Sequence, residues 1–365
     1  MKKKIVLIIF LPKFVISGAG NSVFQMINGL DKKKFIIYVI CFDKCEYAQN
    51  LRRKVKLFEL NYRRLIFASF KIFKIVKNIY HKHLNKKIIF MSNHHYANIF
   101  SLIIKLKFKK IKIIGVERTA IHELKIFYSF NDFVKKKILL FLVKNFYKYF
   151  NKIVSNSKYV QKEINQFSKK NSITIYPPSV KKNYNLQVYK KHKNKNLNIL
   201  MVGRLDKEKG IDTAIKALEL LNFKYDIKIV GRGTVNKKLQ NLVKKNKVQF
   251  LGHKNNLKKY YKKADLFLNT SHFEGFSNAI IEALNFKVPV IAANCPGGNR
   301  EILNNGEFGQ LFRAHDYLDL HNKIKKFNKN RKHFYKKTLL AKNNINKYSL
   351  SKNITQYTKL FEKIK

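Results

Sequence analysis

Residues 270–301 read TSHFEGFSNAIIEALNFKVPVIAANCPGGNRE, and in a chain dominated by lysine this is where carboxylates, glycines and capping residues converge. The stretch reads as the end of a strand over 265–269, a loop through Gly275, a helix opening at Ser277 or Asn278, and a second strand over 288–292. Serine and asparagine suit a helix start because their side chains accept from unpaired backbone N–H groups. Glu274 then lies in the loop at the helix N-terminus, and Glu282, eight residues on, projects from the second turn. Helix N-termini favour anions, so a carboxylate there points to a ligand rich in hydroxyls, sugar or ribose, from which it can accept several hydrogen bonds. Taken alone, the two glutamates read more readily as a loop residue and an exposed helix residue.

Working outward, the 365 residues suffice for two domains, each with its own core. Seventy-seven Lys+Arg against 21 Asp+Glu give a formal net charge of +56, a field that attracts anionic lipid, nucleic acid or polyanionic substrates. The abundance of Lys with Asn, Ile, Phe and Tyr, and the absence of Trp, is also what an A/T-rich coding sequence produces. Basic residues are spread along the chain with no arginine-rich block, which argues against a nucleic-acid partner. Cys41, Cys45 and Cys295 make neither a disulfide framework nor a four-ligand metal site, so reducing cytoplasm is expected. Residues 1–17 start like a signal peptide, but Pro12 and Lys13 interrupt the apolar run, and a buried first strand is the expectation.

Before the opening stretch, strand 197–202 turns through Gly203-Arg204-Leu205-Asp206-Lys207-Glu208-Lys209-Gly210 into a helix over 211–221. Arg204 as a fork and Lys209 as a point charge could clamp a diphosphate. Strands at 227–230 and 248–251 end in Gly231-Arg232-Gly233 and Gly252-His253.

In the first half, strand 5–11 leads through Ser17-Gly18-Ala19-Gly20 into a helix over 22–30, the opening of a Rossmann-like unit. Strands follow at 35–42 and 55–60. Spacing at 65–80 predicts a helix packed through Ile66, Phe70, Phe73, Val76 and Ile79 or Tyr80, with lysines on the other faces. Strand 87–91 runs into Ser92-Asn93-His94-His95-Tyr96 and a helix to Lys107; strand 111–116 runs into Glu117-Arg118-Thr119. Polar residues at strand C-termini are where open α/β sheets bind ligands. An aromatic-rich helix over 139–150 is expected, its Phe141, Phe146, Tyr147 and Phe150 serving as core or as a lipid-facing patch. The polar run 181–196 reads as a linker.

The string Glu274-Gly275-Phe276-Ser277-Asn278-Ala279-x-x-Glu282-Ala283, with Gly297, Gly298 and Glu301 behind it, resembles the signature of retaining, nucleotide-sugar-dependent glycosyltransferases of family 4. Gly-Arg-Leu-x-x-x-Lys-Gly at 203–210 matches that family's diphosphate motif, while Ser17, Gly18, Ala19 and Gly20 stand where it has Gly-Gly-Ala-Glu. The resemblance implies an α/β GT-B fold, two Rossmann-like doubly wound domains facing a cleft. Domains are expected at 1–180 (acceptor side) and 197–345 (donor side), joined by the linker 181–196, with a C-terminal helix at 346–365 of the kind that in this family commonly crosses back to the N-terminal domain.

By the same resemblance Glu274 binds hydroxyls of the donor sugar, Glu282 the nucleotide ribose, and Arg204 with Lys209 the diphosphate. Gly18, Gly203, Gly231, Gly252, Gly275, Phe276, Ser277 and Asn278 complete the donor contacts. His94, His95 and Arg118 are acceptor-side candidates, the histidines also catalytic ones. No metal and no cofactor are expected. The implied reaction moves a hexose or N-acetylhexosamine from a UDP-sugar to a polyprenyl-diphosphate-linked glycan or lipopolysaccharide precursor, on a peripheral enzyme at the anionic inner face of the cytoplasmic membrane. Alternatives are another GT-B enzyme such as a nucleotide-sugar epimerase, a dinucleotide-dependent oxidoreductase, and a basic nucleic-acid-binding protein.

Overall fold

A computed structural model describes residues 3–52, 55–180, 196–234, 239–243 and 248–364. Two compact units are formed, one from Met1–Pro178 with Tyr348–Lys365, the other from Ser179–Lys347. The run 181–196 read as a linker lies outside the described residues apart from Asn196.

In the first unit β1 (Ile5–Leu11), β2 (Phe35–Cys41), β3 (Lys56–Glu59), β4 (Ile88–Asn93), β5 (Lys112–Glu117), β6 (Lys152–Ser155) and β7 (Ile173–Thr174) form one parallel sheet, ordered β3-β2-β1-β4-β5-β6-β7. Helices cover both faces, so the central strands are apolar on both sides. Val6, Ile8 and Phe10 of β1 point into one core, and Leu7, Ile9 and Leu11 into the other. The first core is closed by α3 (Leu65–Lys82), α4 (His95–Lys107), α5 (Phe130–Phe146) and α6 (Lys158–Ser168). The second lies under α1 (Gly18–Gly29), the short α2 (Ala48–Arg52) and the C-terminal helix Leu350–Lys363.

That last helix is an integral part of the first unit. Tyr357, Phe361 and Ile364 are buried in its second core, and Phe361 meets Phe35 edge-on at 5.8 Å. Lys87 Nζ donates to the carbonyls of Glu362 and Ile364, each at 2.9 Å, satisfying helix-end acceptors.

Three local expectations in the first unit need correction. Helix α1 starts at Gly18, four residues early, because the Ser17 hydroxyl accepts from Gly20 N at 3.0 Å and caps it. Helix α3 buries Ala68, Ile72, Val76 and Ile79, leaving Ile66 73% and Phe70 82% exposed. Two apolar faces overlap in that sequence, and the one carrying the small Ala68 packs on the sheet. The aromatic helix begins at Phe130, capped by the Ser129 hydroxyl; Tyr147 and Phe150 are core, whereas Phe141 and Phe146 are exposed.

In the second unit β8 (Leu197–Val202), β9 (Tyr225–Val230), β10 (Val248–Phe250), β11 (Leu266–Asn269), β12 (Val290–Asn294) and β13 (Gln310–Arg313) form a parallel sheet ordered β10-β9-β8-β11-β12-β13. Among the described residues its α-helices are α7 (Ile211–Glu219), α8 (Lys258–Lys263), α9 (Asn278–Asn285), α10 (Asn299–Ile302), α11 (Tyr317–Lys329) and α12 (Arg331–Asn344). Strand β12 starts two residues later than expected, past Pro289, which has no N–H for the ladder. Strand order reverses between β1 and β4 in one sheet and between β8 and β11 in the other. At such points the loops diverge to opposite faces and open a crevice at the strand C-termini.

Candidate active site

At the switch point of the second sheet, Lys209 leaves the β8 loop and Glu274 the β11 loop. Lys209 Nζ donates to Glu274 Oε2 at 2.7 Å, across 65 residues of sequence, with the side chains only 19% and 13% exposed. A pair this sheltered is screened less than a surface ion pair. Ser271 Oγ donates to the same carboxylate oxygen at 2.8 Å, and Thr270 Oγ1 donates to the Lys209 carbonyl at 2.9 Å, so the loops brace each other.

Two glycines permit the close approach. Gly210 has φ +55°, and a Cβ there would strike the Thr270 carbonyl; Gly297 has φ +135°, and a Cβ would strike the Glu274 carbonyl. L side chains rarely adopt either conformation. Gly203, Gly231 and Gly252 sit at neighbouring strand ends, Gly203 N donating to Val230 O and Gly231 N to Gly252 O.

Arg204, expected to fork a diphosphate, donates to Asp206 Oδ2 at 2.8 Å and Glu208 Oε1 at 2.6 Å. Its side chain is 63% exposed, and these acids of its own loop fix its direction. Glu282 does not share the Lys209 contact: it accepts from the buried Tyr261 hydroxyl at 2.9 Å, and Tyr261 stacks on Phe286 with centroids 5.2 Å apart. Burial and the Glu282 charge push the Tyr261 pKa well up, so the phenol stays a donor.

Ser277 precedes α9 as its N-cap, but its hydroxyl accepts from Asn269 Nδ2 at 3.2 Å rather than from the helix's own N–H groups. Gly275, Phe276 and Ser277 are buried; Asn278 Oδ1 accepts from Ser179 Oγ at 2.7 Å. Burial, with the Glu274 charge, pushes the Cys295 thiol up to about 12, which removes it as a nucleophile.

At the switch point of the first sheet the two histidines separate. His94 is partly exposed between β4 and α4 at φ +74°, ψ 151°, a region almost reserved for glycine. His95 is buried, its Nδ1 2.9 Å from Glu117 Oε2, a contact that is an ion pair when the imidazole is protonated. Glu117 is fully buried and also accepts from Tyr147 Oη and, at 2.6 Å, from Asn98 Nδ2. Burial draws the His95 pKa down, but the Glu117 charge and contact more than offset it, and the pKa is raised.

Arg118 Nε donates to Asn93 Oδ1 at 3.0 Å, and the guanidinium lines a small pocket with Ser22, Met26, Asn156, Pro177, Asn353 and Tyr357. Gly18 begins α1 at the same sheet edge. Ser271, Asn269, Tyr261, Glu117 as the partner of His95, and Asn93 escaped the sequence reading. Their bonds join residues 3 to 25 positions apart, and no motif spacing marks them.

A family model described as Glycosyltransferase Family 4 matches residues 16–183, and one described as Glycosyl transferases group 1 matches residues 184–349. The Campylobacter jejuni N-acetylgalactosamine-N,N'-diacetylbacillosaminyl-diphospho-undecaprenol 4-alpha-N-acetylgalactosaminyltransferase is 29% identical over 259 residues, 69% of this chain and 68% of its own. The Staphylococcus aureus capsular polysaccharide biosynthesis glycosyltransferase CapM is 25% identical over 317 residues, 82% of each chain. Among solved structures, Anabaena HepE in complex with UDP-glucose matches with a TM-score of 0.77 at 17% identity, over 98% of this chain and 99% of that one. Sucrose-phosphate synthase from Thermosynechococcus elongatus matches with a TM-score of 0.80 at 16% identity, over 99% and 98%. The fold is GT-B, and the chain belongs to the group 1, family 4 glycosyltransferases.

Proposed function

We propose that the enzyme moves a hexose or N-acetylhexosamine from a UDP-sugar, with retention of configuration, onto a polyprenyl-diphosphate-linked glycan or lipopolysaccharide precursor. The reading is carried by the Lys209–Glu274 pair at the second switch point, a cation for the diphosphate beside a carboxylate for sugar hydroxyls. The anomeric C–O bond to the diphosphate breaks, the acceptor oxygen bonds to the same face, and its proton passes to the departing diphosphate oxygen. Lys209 and Arg204 stabilise the charge on the leaving group, Glu274 orients the sugar, and Glu282, aimed by Tyr261, holds the ribose. One preorganised donor of this kind contributes roughly 10²–10³ in turnover. With that charge supplied by side chains, no metal takes part.

A glycosyl-enzyme intermediate is disfavoured, since Glu117 at the first switch point is locked in a buried network. His94, strained and partly exposed, orients the acceptor, with Arg118 at the same sheet edge. The UDP-glucose complex of HepE and the diphospho-undecaprenol acceptor in the Campylobacter relative's name support the donor and acceptor classes. Among the described residues no helix is long and apolar enough to cross a membrane. The enzyme works peripherally at the anionic inner face of the cytoplasmic membrane, where its net charge of +56 favours adsorption.

Thermal stabilisation by UDP and a panel of nucleotide sugars, for the wild type and Glu282→Ala, tests the donor. A response to uridine nucleotides that the variant loses supports the reading; stabilisation by dinucleotide cofactors or polynucleotides alone overturns it. The anomeric configuration of the product by NMR tests retention, and turnover after chelation tests the metal-free step.

A further inference from the structure

Helices α3, α4 and α5 lie on the same face of the first sheet, α3 touching α4 through Phe73 and Phe100 at 5.5 Å, and α4 packing on α5. Each follows a parallel strand, so their first turns all lie at the strand C-terminal edge, the edge that carries His94 and Arg118. Those first turns are unusual in what they expose. Ile66 and Phe67 of α3, with Phe70 just past its first turn, Tyr96 of α4, and Phe130 and Phe133 of α5 all stand in solvent, Phe130 at 79% and Phe67 at 65%. A monomer rarely leaves so many large apolar side chains together unless they meet something.

The charge around them says what they meet. Arg63, Arg64 and Lys71 flank the α3 cluster and Lys135 and Lys137 the α5 cluster, all exposed, with Lys137 Nζ 5.4 Å from the Phe133 ring centroid. The same turns hold one carboxylate, Asp132, and Lys136 neutralises it at 2.9 Å. Aromatic side chains that enter the acyl boundary, ringed by cations that reach phosphate, are the composition of an interfacial membrane anchor. A protein partner with an acidic rim would take the cations but would not require this density of phenylalanine.

We propose that the first turns of α3, α4 and α5 form a docking surface for an anionic lipid bilayer, setting the His94–Arg118 edge at headgroup level. Its purpose rests on the lipid-linked acceptor proposed above; its existence does not. Flotation of the full chain with phosphatidylcholine vesicles, with and without phosphatidylglycerol, tests it alongside the triple variant Phe67→Ser/Phe70→Ser/Phe130→Ser.

Binding is expected only to the anionic vesicles and falls with salt, and the triple variant partitions at least about tenfold less. Wild-type protein that ignores both vesicles overturns the proposal, as does a triple variant that floats like the wild type or equal binding to neutral vesicles. UDP-dependent stabilisation, measured on the same preparations, is unchanged in the triple variant. Its loss from both proteins with flotation intact would remove the donor reading and leave the membrane surface standing.

Discussion

At the ends of β8 and β11 charge is kept partly open to solvent, and at the ends of β4 and β5 it is sealed. Lys209 and Glu274 pair in loops, each side chain retaining a solvent path, so a ligand can enter and take either partner. His95 and Glu117 pair under a helix, with Tyr147 and Asn98 filling the remaining positions on the carboxylate. The first arrangement suits binding and release; the second holds a strand–helix turn in a strained shape. The same pairing of cation and carboxylate is left partly open in one unit and sealed in the other, and depth of burial is what separates them.

The largest test of that contrast is Lys209→Ala. Turnover should fall by roughly 10²–10³, while the loss of unfolding free energy stays below the roughly 3–5 kcal/mol that breaking one side of a fully buried pair costs. A large stability loss with modest kinetic change would break the comparison. Glu117→Ala should behave in the opposite sense, costing ~3–5 kcal/mol because a buried partner is left without its counter-charge; urea unfolding measures it.

The pH dependence sharpens the point. The folded pKa of His95 is raised above its ordinary 6.5, so the pair's stabilisation is complete below that value and is lost as the pH climbs through the raised one. The stability gap between wild type and Glu117→Gln should therefore narrow as the pH rises above 6.5, and a gap flat with pH would mean an uncharged His95. Smallest is Tyr261→Phe, which removes one hydroxyl donor from Glu282: UDP affinity should weaken by about 1.5 kcal/mol at most with little effect on turnover, read by calorimetric titration.

What the sequence disclosed follows the same division. Strands such as 5–11 and 197–202 were legible because parallel strands buried on both faces are apolar throughout. The loops at 203–210 and 274–282 were legible because their glycines and candidate ligand-binding residues fall within a few positions of one another, and Gly210, at φ +55°, holds a conformation that favours glycine. The ion pair of His95 with Glu117 was not, since it depends on two neighbouring strands and the helix between them. Nor was the packed face of α3, where apolar residues occupy more of the circumference than the sheet covers. Phe70 is hydrophobic enough for a core yet stands 82% exposed. Pattern alone cannot distinguish a side chain that meets the protein's interior from one that meets another phase.

The C-terminal helix imposes an order on biosynthesis. Residues 350–363 supply Tyr357 and Phe361 to a core whose strands end at Thr174, so the first unit's last pieces are translated only after the whole second unit. Domains generally fold in the order they leave the ribosome. Here the nascent first unit carries an uncovered apolar face beside α1 through the synthesis of its neighbour, and the second unit is the one able to finish first. A ribosome stalled before residue 350 leaves that face open, which makes such chains substrates for chaperones and proteases.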